Sequence, residues 1–262
     1  CISYIVRNKE EDWTWKSVWG YTSTLYGSMA VSLLLKAYEL TGYSNYLKSA
    51  KDILNDTIYS DYLELRGSNN DKLLLFTTIA EYVVISKDYN SFFMDVGLNY
   101  YNFSISQYNI TTNEWYYNLR EQNLDFYDSH SAYYQIINIY NILKRRNYLA
   151  LIYPTQNSFL ANIIPEMELL VEGYLTENGT IFYKDDTPDY TESAAVNLVT
   201  FKLIELYYSI KNDEIIASTE NTILQRQLDN GAYIRTDNEL DGFSIWYTDN
   251  IGEFIAFYIN VF

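Results

Sequence analysis

The chain is 262 residues long, with 48% hydrophobic and 20% charged residues and a formal net charge of −16. That balance disfavours nucleic acid as a partner, because its binding needs clustered Lys and Arg to displace counterions, and it disfavours anionic membrane surfaces for the same reason. Cys1 is the one cysteine, so no intrachain disulfide forms, and no stretch approaches the roughly twenty apolar residues that a transmembrane helix needs.

The length suits one large domain or two small ones. With no Pro- or Ser-rich linker and no shift in composition, a single domain over residues 1–262 is expected. Tyrosine occurs 29 times. A phenol buries a ring and keeps a hydrogen-bonding tip, which suits the wall of a wet cleft and the faces of sugars; a biased genome composition would give the same count. The chain does not begin with Met, and a first-position cysteine is where a mature lipoprotein carries its lipid, so a lipid anchor at Cys1 and an extracellular or cell-surface location are expectations. Glycosylation sequons begin at Asn55, Asn102, Asn109 and Asn178, but a chain this rich in Asn, Ser and Thr produces them by chance.

Residues 1–20 read as a partly extended lead-in holding Trp13, Trp15 and Trp19. From Ser23 the pattern turns helical, with Leu25, Met29, Leu33, Ala37 and Leu40 on one face and Gly42 as the stop. Ser44 caps a second helix whose apolar positions are Tyr46, Leu47, Ala50, Ile53 and Leu54. After a polar loop through Gly67 and Asn70, Asp71 caps a third helix to about Ser86, and a fourth runs from about Tyr89 to Tyr101. The spacing predicts further helices over about 129–146, 157–174, 190–210 and 212–228, and a last one from about Asp249. Lys144, Arg145 and Arg146 fall in a last turn, where cations suit the helix dipole, and Pro165 either kinks its helix or marks its true beginning.

One plan recurs three times: a turn, a short aromatic strand, then a helix start. Asn113-Glu114-Trp115-Tyr116-Tyr117 leads to Asp128-Ser129-His130, which holds the only histidine. Asn178-Gly179-Thr180-Ile181-Phe182-Tyr183 leads through Asp185, Asp186 and Asp189 to Thr191-Glu192, and Asn230-Gly231-Ala232-Tyr233 leads through Trp246 to Asp249 and Glu253. The turn asparagines are about 65 and about 52 residues apart, as in a repeat architecture. Tight links near 41–44, 87–89 and 210–212 and a moderate one near 147–156 alternate with long ones at 59–70, 102–128, 175–189 and 229–248. In a run of antiparallel hairpins alternate connections fall on opposite ends, so the long loops share one face, and loops on a rigid frame are where function usually sits.

This arrangement resembles the (α/α) toroid. Val18-Trp19-Gly20-Tyr21-Thr22-Ser23-Thr24-Leu25-Tyr26-Gly27, followed by Ala37-Tyr38-Glu39-Leu40-Thr41-Gly42-Tyr43-Ser44-Asn45-Tyr46-Leu47-Lys48-Ser49-Ala50-Lys51, is similar to the first hairpin of six-hairpin glycosidases. Glu114-Trp115-Tyr116-Tyr117 with Asp128-Ser129-His130 resembles the Trp-Tyr and Asp-x-His feature of some relatives, among them glucuronyl C5-epimerase-like and polysaccharide-lyase proteins. The resemblance spans nearly the whole chain. It implies a mainly α protein, an (α/α) toroid or incomplete barrel of antiparallel hairpins with short β-hairpins in the long loops, acting on an oligo- or polysaccharide. Toroids host several chemistries and some non-enzymes, so beside glycoside hydrolysis the alternatives are a uronate polysaccharide lyase or C5-epimerase-like enzyme and a non-catalytic sugar-binding or cell-surface scaffold protein.

Glycosidic hydrolysis needs two carboxylates, one protonated to assist departure and one ionised as base or nucleophile. Asp128, Asp189, Glu192, Asp249 and Glu253 stand at loop-to-helix junctions, where each can equally be a helix cap or first-turn acid. Asp128 and Asp249 form the best pair, since both follow an aromatic strand. His130 suits a base or a substrate donor, or a structural hydrogen-bonder. For elimination or epimerisation at a uronate, Tyr134, His130, Arg120 and Arg235 supply base and carboxylate partners; the arginines can instead pair with neighbouring acids. Trp19, Trp115, Tyr117 and Trp246 are candidate sugar-stacking rings, with about half of such strand aromatics expected in the core because alternate residues point opposite ways. No zinc spacing or phosphate-cradling glycine loop occurs, Asp237 to Asp241 read as an ordinary acidic turn, and no cofactor or metal is expected.

Overall fold

The computed structural model describes residues 24–64, 69–115, 128–181, 191–229, 233, 254, 258 and 259. Among them nine helices run α1 (Thr24–Thr41), α2 (Ser44–Glu64), α3 (Asn69–Ser86), α4 (Ser91–Ser106), α5 (Asp128–Lys144), α6 (Arg146–Ile152), α7 (Pro154–Glu172), α8 (Thr191–Tyr208) and α9 (Asp213–Gln225). A short hairpin, β1 (Tyr108–Asn109) with β2 (Glu114–Trp115), follows α4. Isolated antiparallel bridges join Leu175 to Ile181 and Gln227 to Tyr233. The chain forms two compact units. The first holds α1–α4, α6 and α7 as far as Leu160; the second holds Asn109–Trp115, α5, α7 from Ala161, α8 and α9.

In the first unit α1 packs on α2 and α3, and α3 on α4 and α6. The core joins Val31, Leu34, Ala50, Ile53, Leu54, Ile79, Val83 and Phe93. The expected face of α1 is shifted: Leu33 and Leu40 are exposed, whereas Ala30, Val31, Leu34 and Leu35 are buried. Three successive leucines allow either register, and the close approach of α2 selects one, because a Cβ added at Gly27 would collide with the Thr57 side chain. On α2 the expected Ala50, Ile53 and Leu54 are fully buried. Asp71 lies inside the first turn of α3 rather than capping it. The cap of α4 is Asn90, whose side chain accepts a hydrogen bond from the Phe92 amide.

Each tight link begins with a residue in the left-handed region: Gly42 at φ +71°, Lys87 at +58° and Ser209 at +58°. The Gly42 amide closes the end of α1 by donating to the Tyr38 carbonyl at 2.7 Å, and that of Ser209 closes α8 by donating to Glu205 at 3.0 Å. Glycine makes the first legible in sequence; the other two are not. Lys87→Gly should therefore raise stability by about 1 kcal/mol, read as a shifted urea midpoint at unchanged slope, since a side chain in this region is disfavoured by about that much. Lys51 bonds Asp88 at 2.7 Å, so the α1–α2 and α3–α4 links lie at one end of the first unit.

In the second unit α5 packs on α8, and α8 on α9. Residues 193–201 of α8 are all buried, as are residues 72–83 of α3 in the first unit. A helix buried on every side is covered by neighbours all round, and both helices follow long connections in the sequence. Two features of the second half were not expected. The stretch 147–156, read as a link, holds the short helix α6 and the start of α7 at Pro154, where a missing amide is harmless. Pro165 is not the start of α7, because the helix runs from Pro154 to Glu172 with Pro165 inside it. Its ring leaves the Ala161 carbonyl without the usual donor, and the Tyr208 hydroxyl donates to that carbonyl at 3.0 Å instead.

Candidate functional site

Two copies of the plan read in the sequence lie within the described residues, displaced by one residue relative to each other, and the bridge of the third is described at Tyr233. The left-handed position is Asn113 at φ +58° in the first copy but Gly179 at φ +68° in the second, each two residues before the bridged position. The equivalent residues are therefore Trp115, Ile181 and Tyr233, each bridged back to the chain just beyond the end of α4, α7 or α9. In the first two copies the chain then enters a central helix, α5 at Asp128 and α8 at Thr191.

Polar side chains on those helices fix the strands. The Gln135 amide pairs with the Trp115 backbone, accepting from its N–H at 3.2 Å and donating to its C=O at 2.9 Å. Ser193 Oγ accepts from the Ile181 N–H at 3.1 Å, and the Asn197 amide donates to the Gly179 carbonyl at 2.7 Å. From the other side α9 holds the same turn: Ser218 donates to the Glu177 carbonyl at 2.6 Å and Thr222 to the Asn178 carbonyl at 2.7 Å. Inside the turn Thr176 bonds Thr180 through both backbone and hydroxyl. Buried Arg226, just past α9, donates to the Thr191 hydroxyl at the start of α8 at 3.4 Å. The start of α8, the end of α9 and the 175–181 turn thus meet at one end of the second unit, so the connections at 175–190 and beyond 226 leave from that end. None of these anchors was singled out in the sequence. The available signal was a polar residue inside an apolar helical run, as in Tyr134-Gln135-Ile136 and Val196-Asn197-Leu198.

The candidate residues are placed as follows. Asp128 and His130 lie in the first turn of α5, and Glu192 is the second residue of α8. Tyr134 is half-buried one turn further along α5, with its ring edge-on to Tyr133 at 5.7 Å between centroids. Trp115 is 2% exposed, so its ring fills the core and offers no face for stacking; the alternation of a strand, with its backbone clamped by Gln135, points it inward. Asp249, Trp19, Tyr117, Arg120, Arg235 and Trp246 lie outside the described residues, as do Cys1, Asp189, Glu253 and the Asp237–Asp241 turn.

Glu168 and Tyr233 are among the groups whose protonation is shifted. Burial pushes the Glu168 carboxyl up to about 7, with the charge of Glu172 adding to it. Such a value suits a general acid, but at 1% exposure Glu168 meets no substrate. Burial also raises the Tyr233 phenol at the third bridge. Among the described residues no group of three or more His, Cys, Asp or Glu side chains could hold a metal ion, and no helix is long and apolar enough to cross a membrane.

No family model matches the chain, and no curated protein matches it by sequence. Solved structures do match. A glycosyl hydrolase family 88 protein from Bacteroides vulgatus superposes with a TM-score of 0.67 at 13% identity, over 94% of this chain and 78% of the other. The fold is that of the six-hairpin glycosidases, the (α/α) toroid. An inactive variant of the α-1,6-mannanase GH76A of Salegentibacter sp. HEL1_6, in complex with α-1,6-mannotriose, gives a TM-score of 0.65 at 11% identity over 98% and 84% of the two chains. A polysaccharide lyase gives 0.67 at 10% identity over 100% and 85%.

Proposed function

We propose that the chain acts on an oligo- or polysaccharide, as a glycoside hydrolase, at the connections that lead into α5, α8 and the last helix. The observation that carries this reading is the recurring turn–bridge–helix unit on a fold whose matched neighbours include a mannanase, a family 88 glycosyl hydrolase and a polysaccharide lyase. A rigidly anchored strand followed by a helix that opens on an acid places carboxylates at fixed points on a loop face. In this reading Asp128 and Asp249 are the pair that protonates the leaving oxygen and activates water or attacks the sugar. Glu192 is a third acid in reserve, and His130 a donor to the substrate. Tyr134, Tyr117, Arg120, Arg235, Trp19 and Trp246 bind sugar, while Trp115 holds the loop. A polymeric substrate met outside the cell would suit an extracellular or cell-surface location for the protein.

The polysaccharide lyase neighbour keeps elimination as the second reading, with Tyr134 or His130 removing the proton and Arg120 or Arg235 holding a uronate carboxylate. The mannanase variant is inactive with two consecutive aspartates replaced. The one Asp-Asp pair of this chain is Asp185-Asp186, in the connection between the second bridge and α8. The test is turnover of α-1,6-mannooligosaccharides and of uronate polysaccharides, with product masses separating addition of water from elimination. Asp128→Asn and Asp249→Asn should each lower kcat at least about a hundredfold without changing the unfolding midpoint, the scale of losing a catalytic acid or base. Full activity in both variants would reject the assignment; if Asp185→Asn alone is dead, the acid pair moves to that connection.

A further inference from the structure

We propose that Glu168, one turn from Glu172 at the end of α7, is a pH-sensitive latch on the 173–181 turn, closed while its carboxyl is protonated and can donate to Glu172. The geometry comes from the burial of Glu168. Its side chain is 1% exposed, and its Oε1 has no hydrogen-bond partner. The Glu172 carboxyl lies beside it, as does the side chain of Asn212 in the α8–α9 link. Asn212 is itself 6% exposed, and its amide, facing the carboxyl, offsets part of the rise that burial causes. A carboxylate in such a place has lost water and gained no cation, so the neutral form is favoured. A protonated Glu168 can donate to Glu172, which a second carboxylate cannot do.

The α8–α9 link brings Asn212, which is uncharged, toward Glu168, while Lys211 of the same link is exposed. From α8 comes Tyr208, whose hydroxyl is engaged on the Ala161 carbonyl. Among the described residues the charge acting on Glu168 is that of Glu172. The chain reaches the turn immediately afterwards, with the Leu175 amide donating to the Glu172 carbonyl at 3.2 Å. Ionising both acids therefore sets two like charges against each other in the last turn that anchors Leu175–Ile181. The helix C-terminus, itself the negative end of a dipole, adds to the repulsion.

The direction with pH follows from linkage. Glu168 holds its proton more tightly in the folded chain, at about 7, than its ordinary 4.5. Its contribution is fully present below the ordinary value and is lost as pH rises through the folded one. The latch is closed in acid and open in mild alkali, whether or not the chain acts on glycans.

The experiment compares the full chain with Glu168→Gln and Glu172→Gln by thermal unfolding from about pH 5 to pH 9, together with amide hydrogen exchange of residues 173–181. In the parent chain Tm falls as pH rises from about 5 to about 7 and levels off beyond it, and exchange in the turn rises beyond the intrinsic base-catalysed increase. Glu168→Gln keeps the neutral amide in place, so both effects should vanish and Tm in alkali should exceed that of the parent. Glu172→Gln removes the like charge but not the burial, so the fall should move to lower pH. A Glu168→Gln profile that parallels the parent overturns the latch. Should that variant fail to fold, an unmoved midpoint in Glu172→Gln overturns it equally.

Discussion

Replacing Arg145 by methionine is expected to remove about 3–5 kcal/mol of stability, the scale of leaving a buried charge without its partner. Arg145 is 3% exposed, and its Nε donates to Glu81 Oε2 at 2.8 Å. Ser32 Oγ donates to the same carboxylate oxygen at 2.7 Å and accepts from Arg145 Nη2 at 2.8 Å. The three groups tie α1, α3 and the start of α6 in the first unit. Without the guanidinium, Glu81 must either protonate or stay charged in the interior. Its charge also reaches Tyr148, whose phenol is pushed up to about 12, first by burial and then by Glu81. The double variant Arg145→Met with Glu81→Leu removes both charges and should regain most of the loss, since apolar replacement of a whole buried pair is often neutral or stabilising. Urea unfolding measures both. A single variant that loses under about 1 kcal/mol would mean that water reaches the pair as it does a surface bridge.

Arg145 also marks where reading the sequence stops. Lys144, Arg145 and Arg146 together look like cations at a helix C-terminus, and composition alone gives no reason to separate them. The chain turns at Arg145, between α5 and α6, and the change of direction sends this one side chain inward. The helices themselves were legible because their apolar spacing is local, and so was Gly42 as a stop. The register of α1 was not, since Leu33, Leu34 and Leu35 satisfy two faces equally and the choice depends on how near Thr57 comes to Gly27. The recurrence of the turn–strand–helix plan was legible from its Asn and Gly residues. Its alignment was one residue off, because asparagine can itself take the left-handed position, as Asn113 does, or precede a glycine that does, as at Asn178-Gly179.

The candidate site divides along the same line. Acids at helix starts are visible in a sequence, so Asp128 and Glu192 were found. The groups that hold the loops are long-range: Gln135 meets Trp115 twenty residues away, and Thr222 meets Asn178 forty-four away. A polar side chain in an apolar helix is ambiguous until its backbone partner is known, and only the fold supplies that partner. Trp115 is ambiguous in sequence for the related reason that an aromatic ring next to acids fits a sugar platform and a core plug equally well.

Gly179→Ala should cost about 2–5 kcal/mol, combining about 1–2 for a side chain in the left-handed region with about 1–3 for forcing atoms into a packed interior. Gly179 sits at φ +68°. An added Cβ would stand 2.6 Å from Thr219 Cγ2 and 2.9 Å from the Thr219 backbone nitrogen. The side chain can rotate, but the backbone of α9 cannot, so the 175–181 turn must move. Gly42 is the control, at φ +71° with nothing within 4 Å of the added carbon. Gly42→Ala meets only the backbone penalty, about 1–2 kcal/mol. The difference between the two variants isolates the close approach of turn and helix. It should appear in function as well, because a displaced turn breaks the Asn197 and Thr222 hydrogen bonds and shifts the chain that leads into α8, whereas Gly42 lies in the first unit at a link remote in sequence from every candidate acid. Equal unfolding midpoints for the two variants would mean that α9 yields to the turn, and the turn would then lose its standing as a rigid support for the site.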